Sequence, residues 1–302
     1  MLDLCIHIAI LILAPPFLFG VIAKTKALFA GRCGAPFFQP YYDIAKLLRR
    51  GLVISDTATW VFRAGPVVTL STVLLAGLLI PFGAFRAPIS FSGDLILFAY
   101  LFGLARFFTT SAALDTGSAF EGMGSAREVT FACLSEPALF FAFLVLAKLS
   151  GSLSLDPMLH APARALSADV AAPLVLISIG LFIVLLAETC RIPVDDPNTH
   201  LELTMIHEAM VLDHSGPLFG TILYASSLKL LVLGSVFLHV AIPFATGNPW
   251  FDWPLYLLEI SGLAVLIGVV ESVMARLQMR HVSYLLVGAL LFCGFGLILL
   301  IR

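Results

Sequence analysis

The sequence predicts an all-α integral membrane protein of about eight transmembrane helices, with an amphipathic helix in its first cytoplasmic connection. Composition is the first reason. Of 302 residues, 60% are hydrophobic and 12% charged, whereas soluble domains run near 45–50% and 25%. The second reason is how the apolar residues are grouped. They form eight continuous runs close to the length of about 20 residues that spans a bilayer as a helix. The runs do not alternate as barrel strands do, and a helix satisfies every backbone group within its own segment. The whole chain, 1–302, reads as a single transmembrane domain. A near-neutral balance of 17 basic and 19 acidic residues argues against a nucleic-acid partner.

In chain order, the first span covers 4–23. It has no basic leader and no small-residue cleavage site, so it reads as a retained helix. Pro15-Pro16 is expected to kink or break it. In the connection 24–60, the stretch Tyr41–Arg50 sets Ile44, Leu47 and Leu48 on one face and Asp43, Lys46 and Arg50 on the other. This amphipathic helix is expected to pack against neighbouring spans or lie in the interface. Spans follow at 61–83, 94–114, 129–149, 171–188, 218–243, 255–274 and 282–301. The connection 150–170 is low in charge and reads as filler. No internal repeat supports an inverted-repeat transporter.

Lys and Arg set the orientation. With 24–60 inside, Lys24, Lys26, Arg32, Lys46, Arg49, Arg50, Arg63, Arg127, Arg191, Arg276 and Arg280 share the inner side. Only Arg86, Lys148, Arg164 and Arg302 fall on the other. An even number of spans then predicts both termini outside. Five cysteines lie far apart with no CxxC pair, which excludes a self-contained iron–sulfur or zinc-ribbon site and a disulfide framework. Any redox metal belongs to another subunit.

Charge inside the membrane is costly, so each such residue needs a reason. Glu136, Lys229, Arg106 and Glu271 lie within spans, and Asp115, Glu121, Arg127 and Glu128 crowd the turn before the fourth span. Arg106 and Arg276 read as members of static ion pairs. Glu136 and Lys229, with fewer evident partners, read as proton carriers, because burial moves carboxyl and ammonium groups towards the range where they exchange protons. The densest charge lies in Ala187–Gly216, with Glu188, Arg191, Asp195, Asp196, Glu202, Glu208 and Asp213 beside His200, His207 and His214. Asp196 is placed to cap a helix starting at Pro197 and running to about Leu212. The histidines recur every seven residues, about 10.5 Å along a helix and too far for two to chelate one metal. His207-Glu208 opens an HExxH pattern, but Val211 stands where its second histidine belongs. His200 and His207 are therefore candidates for proton exchange.

Two blocks carry a family resemblance: ETCRIPVDDPNTHLELTMIHEAMVLDHSG, and Ala113–Leu139, ALDTGSAFEGMGSAREVTFACLSEPAL. They resemble the membrane anchor subunit of group 4 energy-converting nickel–iron hydrogenases, of the formate hydrogenlyase and hydrogenase-4 type, with the Ech and CO-induced enzymes close by. That subunit is the counterpart of the quinone-site membrane subunit of respiratory complex I. The shared core falls on Arg191, Pro193, Asp195 and Pro197, with Arg127, Glu136, Glu202 and Ser215-Gly216 matching as well. Asn198 and His200 depart from the more acidic quinone-reducing relatives.

The resemblance implies a bacterial or archaeal cytoplasmic (inner) membrane and a subunit with no redox centre of its own. The nickel–iron centre and iron–sulfur clusters would sit in a nickel–iron large subunit, an iron–sulfur small subunit and a ferredoxin-like iron–sulfur subunit. An antiporter-like membrane subunit would pack alongside. Glu188, Asp195, Glu202, Glu208 and Asp213 would form an acidic funnel facing the hydrogenase. Asp115, Glu121 and Glu136 would continue the path inward, and Lys229 or Glu271 would pass it to the neighbour. Arg127 and Arg191 would tune nearby carboxylates by ion pairing. The alternatives are a quinone-reactive subunit of a complex I-like oxidoreductase, a stand-alone ion-coupled carrier that moves solute in liposomes by itself, and a purely structural anchor.

Overall fold

The computed structural model describes residues 2–164, 168–195, 205–243 and 248–301. Among these lie eleven helices and no strand: α1 (Leu2–Phe29), α2 (Gln39–Leu48), α3 (Trp60–Leu79), α4 (Asp94–Asp115), α5 (Ala119–Ser150), α6 (Leu155–Arg164), α7 (Ala168–Glu188), α8 (His207–Met210), α9 (Gly216–Ala241), α10 (Pro249–Val273) and α11 (Met279–Ile301). All but α2, α6 and α8 are long and apolar enough to cross a membrane, so this is the multi-pass all-α protein that composition predicts. The most buried of these eight is α9, which packs against α1, α2, α3, α6, α7 and α10.

Pro15 and Pro16 do not break α1, which runs through both. Pro16 has no N–H to offer the carbonyl of Ile12, and a bare carbonyl in hydrocarbon is costly. The Tyr224 hydroxyl of α9 donates to that carbonyl at 2.8 Å, and the Tyr41 hydroxyl of α2 donates to the next one, Leu13. Two helices thus fasten to α1 where proline loosens it. The amphipathic helix α2 packs on α1 and α9. Gly20 permits this, since a Cβ there would overlap the Phe37 carbonyl just before α2. Gly220 lies beneath Leu47, whose Cβ would be 3.2 Å from a Cβ added to it.

Three expectations are corrected. The fourth span begins at Ala119, not near 129, because Thr116–Ser118 is the whole turn and Gly117 supplies its left-handed residue (φ 73°). The first turns of α5 carry Glu121, Ser125, Arg127 and Glu128, too polar for a hydropathy window. The connection 150–170 is more than filler: α6 buries Leu155, Met158 and Leu159, and Asp94 accepts from Leu155 N at 2.6 Å and Ser154 Oγ at 2.9 Å. Ser154 just before the helix and Asp156 in its first turn were its signal.

The helix expected from Pro197 to Leu212 is interrupted. Of that range 205–212 is described, and only His207–Met210 is helical. Backbone groups here bond to side chains instead. Asp195 accepts from Ile206 N at 3.1 Å and His207 N at 3.0 Å, and Arg127 donates to Met205 O at 2.8 Å. Asp196, Pro197, Asn198, His200 and Glu202 lie outside the described residues.

Candidate functional site

The last residue of α7 is the hub of a charged network between helices. Glu188 accepts from Arg106 of α4 at 2.7 and 2.8 Å, from Ser135 of α5 at 2.7 Å, and from Lys229 of α9 at 2.7 Å. Arg106 also pairs with Glu136 of α5 and lies 3.7 Å from Glu128. Two cations thus face three carboxylates, Glu128, Glu136 and Glu188. A buried Glu188 with its cations removed would be expensive, and charge-assisted hydrogen bonds to both oxygens offset that cost. The Glu188 side chain is 7% exposed, whereas Glu136 is 44% exposed, so the network opens outward at Glu136. Glu136 and Lys229, expected to have few partners, are both ion-paired.

Cavities meet at this hub. One of about 60 Å³ is lined by Arg106, Glu128, Glu188, Cys190, His207 and Lys229, enough for a few waters among polar groups. A wider one, about 320 Å³, lies between α1, α2 and α9 and reaches Lys26, Asp43, Arg191, Glu208 and Glu271. The two share Thr189, Cys190, His207 and Ser226 as their common wall. On the other side an apolar groove between α4 and α5 holds Arg106, Glu136 and Glu188 in its floor. Polar side chains therefore run from the wide cavity to the outer groove.

Cys190 stands in the wall with φ 53°, a left-handed conformation that is strained for a residue with a Cβ. It turns the chain sharply between Glu188 and Arg191. Burial pushes its thiol well above the usual cysteine range, so the thiol stays protonated and is an unreactive wall rather than a nucleophile.

Around the hub the remaining sequence-predicted residues fall into separate sites. Glu271 of α10 bonds Lys26 at 2.8 Å and Arg191 at 3.4 Å, with the Arg191 guanidinium 4.2 Å over the Phe19 ring. Asp195 pairs with Arg276 at 3.0 Å, the ion pair expected of Arg276. Glu188 and Asp195, expected to form part of an acidic funnel, have buried side chains, because the turn after α7 folds inward between α5, α10 and α11. Glu121 is fully buried and accepts from Asp213 N at 3.0 Å, while Asp213 itself is exposed. Asp115 accepts from Thr59 N at 2.6 Å, Thr59 Oγ1 at 2.8 Å and Phe62 N at 3.3 Å, which fixes the start of α3. Arg127 holds the Met205 carbonyl, and His207 and Glu208 line cavities. Sequence reasoning did not bring Lys26 to Glu271, nor Ser135 to Glu188. Among the described residues, no group of three or more His, Cys, Asp or Glu is placed to hold a metal ion.

His214, between α8 and α9, is buried and stacked on Phe62 with ring centroids 4.0 Å apart. Burial holds its imidazole down to about 4. Since the unfolded chain binds this proton near 6.5, the neutral ring contributes fully above that pH, and its contribution is lost as pH falls from 6.5 through 4. The expected loss is on the order of 3 kcal/mol. Thermal unfolding in detergent should show an acid-induced fall in midpoint that His214→Phe largely removes. An equal fall in both proteins would refute this assignment.

A family model described as NADH dehydrogenase matches residues 2–302. Formate hydrogenlyase subunit 4 of Escherichia coli (strain K12) is 33% identical over 284 residues, 91% of this chain and 90% of its own. Hydrogenase-4 component C of the same organism is 30% identical over 285 residues, 91% of this chain and 89% of its own. One NADH-quinone oxidoreductase subunit, from Syntrophotalea carbinolica, is 28% identical over 256 residues, 80% of this chain and 74% of its own. A chain in the structure of the membrane-bound sulfane sulfur reductase, an archaeal respiratory membrane complex, superposes with a TM-score of 0.83 at 20% identity, covering 98% of this chain and 97% of that one. At that identity the superposition shows a common fold. Eight apolar helices, the two motif blocks and a match along the full length agree: the chain belongs to the NADH dehydrogenase family and is a multi-pass membrane protein homologous to formate hydrogenlyase subunit 4.

Proposed function

We propose that this chain is the membrane subunit of an energy-converting hydrogenase complex of the formate hydrogenlyase type, linking a redox reaction in a soluble arm to movement of protons or sodium ions. The observation that carries the reading is the Glu188 hub, where charged side chains of four helices join cavities on both sides. The turn after α7 and the wide cavity would face the soluble arm. That arm would supply the nickel–iron large subunit, the iron–sulfur small subunit and a ferredoxin-like iron–sulfur subunit. The charged end would lie in the cytoplasm of a bacterium or archaeon, with both termini outside, and an antiporter-like subunit would cover the groove at Glu136.

A shift of the turn at Thr189–Arg191 would alter how strongly Arg106 and Lys229 hold Glu188. Glu136 and Glu188 compete for the same guanidinium, so a weaker bond at one strengthens the other and changes which carboxylate keeps a proton. This chain's part is to hold and pass protons, while the electron chemistry belongs to the partners. Glu136→Gln in the whole complex should keep dye-linked hydrogenase activity and lose proton or sodium movement in sealed vesicles by about tenfold or more. Ion movement at the native rate would remove Glu136 from the path.

One observation favours a second reading, a quinone-reactive subunit. The cavity of about 320 Å³ joins apolar Phe19, Ile22 and Phe219 to polar Lys26, Arg191 and His207, a lining suited to an amphiphile with a carbonyl-bearing head. Quinone-dependent turnover by the purified complex would decide for it.

A further inference from the structure

His239 lies near the far end of α9, away from the Glu188 hub. The ring is buried at 8% exposure, and both of its nitrogens face carbonyl oxygens. Nδ1 lies 2.7 Å from Ser235 O and Nε2 lies 3.0 Å from Gly83 O. A neutral imidazole carries one N–H and can serve only one of these acceptors, leaving the other nitrogen's lone pair against an oxygen lone pair. The imidazolium serves both. The second acceptor is held there by local backbone: Gly83 has φ 59°, and a Cβ on it would come 3.1 Å from the Cβ of Tyr256.

The surroundings fit a proton that comes and goes. From α6, His160 presents its ring edge-on at 5.7 Å between centroids. Its Nδ1 is 2.8 Å from the Asp156 carbonyl oxygen, so that nitrogen carries the hydrogen and Nε2 is left with a lone pair. The Asp156 carboxylate is 3.8 Å from the same ring. From α10 come Glu259, which lines the cavity, and Tyr256, whose hydroxyl is 2.6 Å from Ser235 Oγ. From the connection before α4 the facing group is the Gly83 carbonyl. Both histidines and Glu259 line an opening of about 30 Å³, room for about two waters. Burial and the neighbouring His160 oppose a charged ring, while two carbonyl acceptors and the Asp156 carboxylate favour it.

We propose that His239 is a proton-binding site at the end of the bundle opposite the Glu188 hub, exchanging with solvent through His160. On release, a His239 N–H bond breaks, its electron pair stays on the ring, and the neutral imidazole is restored. The proton is received on Nε2 of His160, directly or through water in the opening, and passes to solvent beside Asp156 and Glu259. The same helix carries Lys229 of the hub at its middle, so α9 holds a protonatable group of each site. A part in ion movement rests on the function proposed above, whereas the binding of the proton stands without it.

The test is nitrogen-15 solid-state NMR of the whole complex in lipid bilayers, with labelled histidine and His239→Gln used to assign the signal. At about pH 6, near the ordinary histidine range, His239 should show both nitrogens protonated. In His160→Gln, exchange of that proton with deuterated water should slow by about 100-fold. A singly protonated His239 throughout about pH 5–8 overturns the site, and unchanged exchange in His160→Gln overturns the route. If Glu136→Gln uncouples the complex while His239 stays neutral, the proposed function survives and this site does not. The reverse pattern separates them the other way.

Discussion

Glu188→Gln is expected to destabilise the protein by about 3–5 kcal/mol, the usual consequence of taking one member from a buried ion pair, and to stop coupled ion movement. Glutamine can still accept from Ser135, but Lys229 loses the carboxylate it contacts at 2.7 Å, and Arg106 Nη2 loses the charge on the two oxygens it bonds. Arg106 keeps Glu136 and Glu128, which is why unfolding, not misassembly, is the expected readout. Glu188→Gln combined with Lys229→Met separates structure from function. Removing both charges should restore stability to within about 1 kcal/mol, since well-packed apolar groups replace buried pairs at little cost. Ion movement in vesicles should stay absent in the double variant. Recovery of coupling along with stability would show that Glu188 only holds helices together.

Asp195→Ala should be comparably severe, at about 3–5 kcal/mol, for a different reason. Its carboxylate is 1% exposed and serves Arg276 at 3.0 Å together with the backbone N–H groups of Ile206 and His207. Alanine leaves those two donors without an acceptor, and buried unmade hydrogen bonds cost more than made ones return. Asp195→Asn keeps an oxygen for the backbone and gives up only charge, so its loss should be about half as large. Hydrogen exchange at the Ile206 and His207 amides is the direct measure. It should accelerate strongly in Asp195→Ala and little in Asp195→Asn. Equal protection in all three proteins would mean that the turn after α7 is held by other contacts, such as Leu277 N to Pro193 O at 3.0 Å.

Much of the site is legible in the amino-acid sequence. The acid-rich stretch after α7 and the pairing of Arg276 follow from where charge falls along the chain, and Arg191 and Asp195 stand in the motif that carries the resemblance. The partners of Glu136 and Lys229 do not follow. Glu136 meets Arg106 across 30 positions, Lys229 meets Glu188 across 41, and Arg106 meets Glu188 across 82. No periodicity within one helix encodes such a meeting. The same limit hides the Asp94 acceptor that starts α6 and the Tyr224 hydroxyl that serves Ile12.

By itself the sequence determined that this chain has eight runs long and apolar enough to cross a membrane, where charge is dense along it, and that it belongs with the hydrogenase and complex I membrane subunits. Those properties are local, since apolar length sets a span and a motif is read along the chain. Only the tertiary structure decided which charges share a site, that Glu188 rather than Glu136 is the hub, and that His239 faces two carbonyls. Such distances depend on how each helix is rotated against its neighbours. Contacts between helices fix that rotation, as where Gly20 admits the Phe37 backbone and Gly220 admits Leu47.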